Sequence, residues 1–179
     1  MSNIPELYRW LDHLDPLPRM VREALRELGV AERAGAANNP VVMGWAKEVG
    51  ADVAREYWAD SVPWCGLFMA VIAKRAGKPV PAGPLWAMSW KKFGMQAAVP
   101  SLGDILVFRR ESGGHVGLYV GEDDQAFHVL GGNQSDRVGF TRIARPRMVA
   151  ARRPVYRAAP SSARPFRLAA TGALSTSER

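Results

Sequence analysis

Apolar residues recur at three- and four-residue spacing through the first half of the chain and alternate with polar ones through much of the second. Met20, Val21, Ala24, Leu25 and Leu28 predict a helix from Pro18 that stops at Gly29. Asn39 as cap and Pro40 at the first position open a second helix, with Val41, Val42, Trp45 and Val49 on its apolar face and Gly50 at its end. A third begins near Pro63-Trp64-Cys65 and carries Phe68, Met69, Ile72 and Ala76 to Gly77. A short fourth runs from Pro84 towards Gly94. After Pro100 the period becomes two, and strands are expected at 104–109, 115–121, 126–130, 138–143 and 148–153. Helices first and hairpin-linked strands after predict an α+β domain, its N-terminal helices packed on a C-terminal antiparallel sheet of about five strands.

The 179 residues suit one domain, expected over 18–156, with a lead-in at 1–17 and a basic, mostly disordered tail at 157–179. The net charge of +7 is unevenly placed. Residues 1–136 sum to −2, whereas 137–179 hold ten arginines against Glu178 alone. All six tryptophans lie in the acidic part, so aromatics and cations are not interleaved and a nucleic-acid partner is not expected. One cysteine excludes an intramolecular disulfide framework and a Cys-rich zinc site, and three histidines leave little for a metal, so no metal or cofactor is expected. No apolar run is long enough to insert in a membrane, and the first residues do not read as a secretory signal.

Three segments could carry chemistry. Cys65 starts a helix, where free N–H groups and the dipole favour a thiolate. Taken alone it reads as a small buried hydrophobe. His115 opens a strand after Gly113-Gly114 and shares a face with Gly117, which lets another element come close. Gly131-Gly132-Asn133-Gln134 follows the next strand, so an amide there could orient the imidazole, with His128 as the alternative orienter.

The ordered series PWCGLF, GDILVF, GHVGLYVG and VLGGNQSD resembles the papain-like cell-wall cysteine peptidases of the CHAP and NlpC types. It is closest to a small phage and bacterial group with PWC, GHVG and GGNQ motifs, and the likeness covers about residues 18–156. The resemblance implies a papain-like fold, with Cys65 as nucleophile, His115 as general base and acid, and Asn133 as the polar third member. Trp64, Trp86 and Trp90 would line a substrate groove, and Asp104 would hold the turn into its strand. The chain departs from the expected pattern at Gly66-Leu67 and at Trp86-Ala87-Met88, which bears on substrate preference.

The implied activity is an endopeptidase or amidase acting on peptidoglycan at the cell wall or periplasm. Delivery from the bacterial cytoplasm would be as a phage lysin, as a tail-associated wall peptidase of a virion, or as a secreted effector docked to tail or secretion-machine proteins. The alternative is a catalytically inert wall-binding or phage tail structural module on the same fold, with Cys65 buried.

Overall fold

Helix α4 (Cys65–Arg75) organises the molecule, because every side chain from Cys65 to Ala73 is buried. A helix that is apolar all round has to sit between other layers. Here those layers are α1 (Arg19–Arg26) and α2 (Pro40–Val49) on one side and the sheet on the other. At its C-terminal end, Lys74 donates to Glu48 O at 2.6 Å and Arg75 pairs with Glu48 at 2.7 Å and with Glu27, which ties α4 to both neighbours. A short α3 (Ala51–Glu56) follows α2 directly. The structure is a computed structural model and describes residues 3–35, 37–176 and 178.

The sheet confirms the α+β class. Its strands are β1 (Met95–Gln96), β2 (Ile105–Arg110), β3 (Gly113–Glu122), β4 (Ala126–Gly131), β5 (Gly139–Ala144), β6 (Met148–Arg153) and β7 (Leu174–Ser175). Their order is β1-β6-β2-β3-β4-β5-β7. The five long strands are the five expected from the alternation, all paired antiparallel. Two-residue strands close the edges, and β7 runs parallel to β5. Alternation divides each strand between two cores. Val107, Val116 and Leu118 face the helices, while Leu106, Phe108, Tyr119 and Phe127 form a second cluster on the other face.

Both ends of the chain depart from expectation. The lead-in is a 3-10 turn, Glu6–His13, whose Tyr8 and Leu11 are buried. Tyr8 stacks on Phe140 at 4.0 Å. Its hydroxyl donates to His128 Nδ1 at 2.8 Å, because His128 Nε2–H is used on Asp123 Oδ2 at 2.9 Å. The tail expected to be disordered lies against the domain. Phe166 stacks on Trp10 at 4.5 Å, residues 166 and 168 make backbone hydrogen bonds to Glu122, and β7 extends the sheet. Composition missed this because a few apolar anchors and ion pairs hold the tail. The tail's ion pairs are Arg147 with Glu178 at 2.7 Å and Arg167 with Asp124, while within the domain Arg142 binds Asp123 and Arg153 binds Asp104 at 2.7 Å. Much of the C-terminal positive charge is therefore matched by acids.

The Tyr8–His128–Asp123–Arg142 cluster makes stability pH-dependent. Burial holds the His128 imidazole neutral, below its ordinary range, and the Arg142 guanidinium holds the Asp123 carboxyl far below its own. Burial also pulls His115 down to about 4. As pH falls below about 6.5, the unfolded chain takes up protons that the folded histidines refuse. Each such histidine then costs on the order of 1.4 kcal/mol per pH unit until its folded value is reached. The melting temperature at pH 5 is expected to be at least about 5 °C below that at pH 7. Calorimetric scans giving equal melting temperatures would contradict the buried neutral histidines.

Candidate active site

Cys65 is the first residue of α4, after an N-cap, Trp64, that makes no side-chain cap. The opening N–H groups of a helix lack intrahelical acceptors. Those of Cys65 and Gly66, together with the Val116 N–H of β3, act on the Cys65 thiol and favour its charged form. The thiol thus lies within electrostatic reach of β3 at Val116, the residue after His115.

Gly66 is required for a reason the sequence did not disclose. A Cβ there would lie 2.4 Å from Pro84 O and 2.5 Å from Leu85 O, so the loop leading to Trp86 rests directly on the helix beside the thiol. Gly66→Ala is expected to destabilise the protein by about 1–3 kcal/mol, because backbone has to move. A thermal melt within about 1 °C of wild type would contradict that contact.

His115 is wholly buried, opposite Phe108 of β2. Its Nε2 lies 3.0 Å from Gln134 Oε1. The amide orientation is fixed by its other end, since Gln134 Nε2 donates to Val129 O at 3.2 Å and to Gly139 O. Carbonyls only accept, so the amide nitrogen belongs there and the oxygen faces the ring. His115 therefore carries its proton on Nε2, which leaves the Nδ1 lone pair bare. Nδ1 is buried and has no hydrogen-bond partner among the described residues. Gly131 makes room for the pair: its Cβ would stand 3.0 Å from Gln134 Oε1 and 3.4 Å from His115 Nε2.

The third position read from the sequence is corrected by one residue. Asn133 does not face His115. It sits in a left-handed conformation, φ 55°, in a turn whose Gln134 N–H bonds to Arg137 O. In the orientation its neighbours demand, the Asn133 oxygen accepts from Trp64 N–H at 3.3 Å and its nitrogen donates to Glu32 Oε1 at 3.1 Å. Asn133 thus holds the peptide that precedes Cys65, while the turn swings Gln134 to the imidazole. His128 is engaged with Tyr8 and Asp123 and orients nothing at His115.

The expected lowering of the thiol pKa is also reversed. Burial pushes the Cys65 thiol up, outweighing the three peptide N–H groups and Arg110. With His115 at about 4, the free protein near neutral pH holds a neutral thiol and a neutral imidazole rather than an ion pair.

Of the three tryptophans expected in a groove, two are core residues. Trp64 is fully buried, lies 5.7 Å from the Trp45 ring and donates to Glu32 at 2.8 Å. Trp90 is fully buried and donates to Pro84 O at 3.0 Å. Trp86 is 70% exposed. Sequence reading missed Trp58, which is 73% exposed on the segment before Cys65, because its spacing gives no periodic signal. Asp104 has the structural place expected for it, accepting from Ser101 N–H at 2.9 Å and pairing with Arg153. The described residues contain no group of three His, Cys, Asp or Glu side chains able to hold a metal, and no helix among them is long and apolar enough to cross a membrane. Neither a protein-family model nor a curated protein matches the chain.

Proposed function

We propose that the protein is a papain-like cysteine hydrolase that cleaves an amide bond of peptidoglycan, as an endopeptidase or an amidase. The observation that carries the chemistry is the single tautomer that Gln134 imposes on His115, with a bare Nδ1 on the residue before Val116, whose N–H favours the charged form of the Cys65 thiol. The motif series supports the choice of peptidoglycan.

His115 Nδ1 takes the thiol proton as the sulfur attacks the amide carbonyl, forming the C–S bond. N–H groups at the start of α4 stabilise the oxyanion; one such donor is worth about 3 kcal/mol. The imidazolium then protonates the leaving amine as the C–N bond breaks. Neutral His115 next activates a water, which releases the acid and restores the thiol. Gln134 acts through the imidazole and is a positioning residue. Delivery as a phage lysin, a virion tail component or a secreted effector belongs to the same reading.

The wild-type protein should release new amino groups from purified cell walls near neutral pH. No release over hours at any pH from 5 to 9 would contradict the reading. A neutral base with a pKa of about 4 also sets the acid limb. Protonation removes the lone pair, so kcat/KM is expected to stay level from pH 7 down to about 5 and to fall as pH approaches 4. A midpoint near 6.5 would contradict the buried imidazole.

The near-complete burial of Cys65, 5% exposed, favours a second reading: a catalytically inert wall-binding or tail structural module. Retained wall binding without amine release would support it.

A further inference from the structure

The far end of α4 borders a different feature. Eleven residues of helix span about 16 Å, so the loop after Arg75 lies well away from Cys65. There, the start of α1, Lys78 and the segment 156–161 border a concavity of about 390 Å³. Its floor is apolar, built from Leu17, Met20, Tyr156 and Ala158. Its polar rim is entirely cationic apart from one serine: Arg19, Arg22 and Lys78 line it, and no acid does. A second concavity of about 800 Å³ shares Arg19, Lys78 and Tyr156 and adds Arg157.

These cations differ from the arginines of the C-terminal strands. Arg142, Arg145, Arg147, Arg153 and Arg167 are all paired with acids. Arg19, Arg22 and Arg157 have no acidic partner among the described residues, and all three are exposed. Arg19 and Arg22 are three apart, so they share one side of α1. They occupy its first turn, which holds no acid, where the helix dipole disfavours cations. Helix stability does not explain them. Lys78 is held in place by Val155 O and by the Tyr156 ring, 4.9 Å from its Nζ.

We propose that this concavity binds a small amphiphilic anion, a phosphate or carboxylate on an apolar body. The floor takes the apolar part and the guanidinium groups take the charge. Its size lies within the range of small-molecule sites, which combine an apolar lining with a few convergent polar groups. A polyanion would leave the apolar floor unused, and a neutral lipid would leave the cations unused. The site is independent of Cys65 and stands whether or not the protein is a hydrolase.

Titration calorimetry with decyl phosphate monomers tests it, with decanol and phosphatidylglycerol vesicles as separate arms. The wild type and Cys65→Ala should bind decyl phosphate saturably and equally, and decanol more weakly. The exposed double variant Arg19→Gln/Arg22→Gln, shown folded by its melting curve, should bind decyl phosphate about tenfold or more weakly and decanol unchanged. No saturable binding by the wild type, equal binding by the double variant, or binding to vesicles without binding to monomers would each overturn the proposal.

Discussion

Cys65→Ala should abolish amide hydrolysis, by at least about 10³-fold in kcat/KM, and leave the fold in place. The sulfur is the atom that forms the covalent bond, and the 179-residue chain has no second thiol. The side chain is small and stands at the edge of the core, so its loss removes little packing. A melting temperature within about 3 °C of wild type is expected. Cys65→Ser separates chemistry from packing. It keeps the shape but puts a far less acidic group against a weak base, so it should also fall below about 1% of wild-type activity. Clearing of purified walls at the wild-type rate by either variant would exclude Cys65 as the nucleophile.

Gln134→Leu should lower kcat by about 10²-fold or more while changing KM little. Leucine fills a similar volume, but it removes the acceptor that fixes His115 Nε2–H and the donors to Val129 O and Gly139 O. The imidazole is then free to carry its proton on Nδ1, the wrong nitrogen for accepting one from the thiol. Two carbonyls also lose a partner, at about 1–3 kcal/mol each where they are buried. A purely structural role predicts destabilisation alone. The positioning role predicts, in addition, that kcat stays low at temperatures where circular dichroism shows the variant folded. Asn133→Leu offers the contrast. It should disturb the Trp64 peptide and leave the His115 tautomer intact, so its pH profile should keep the wild-type acid limb. Wild-type kcat in folded Gln134→Leu would remove Gln134 from the site.

The pattern of the chain disclosed the elements whose periodicity spans several turns or pairs. Helices α1, α2 and α4 and the five long strands lie close to where spacing put them. What spacing could not show depends on contacts distant in sequence. The Glu6–His13 turn and the 162–176 segment are short, irregular and held by Tyr8, Trp10, Phe166 and a few arginine pairs. The composition of the second resembles that of an unstructured end. At the site, the placement of Cys65 at a helix start and of His115 near the start of a strand that opens at Gly113 was legible, because helix and strand onsets carry Pro and Gly signals. The choice between Asn133 and Gln134 was not. It turns on left-handed backbone at 133, which decides which of two adjacent amides swings to the ring. The tryptophans show the same limit: Trp64 and Trp90 are packed and Trp86 is exposed, although all three look alike in sequence. The sign of the thiol shift was misjudged because the dipole is a property of the helix, whereas burial is a property of everything packed on it.

Mass analysis of the reaction with a defined, purified peptidoglycan fragment tests the central claim most directly. Two species are expected with the wild type: paired products whose masses sum to the fragment plus one water, and, after acid quenching, protein carrying the acyl fragment on the Cys65 peptide. Cys65→Ala should give neither. An intact fragment after prolonged incubation with folded wild type, or identical products from Cys65→Ala, would contradict it.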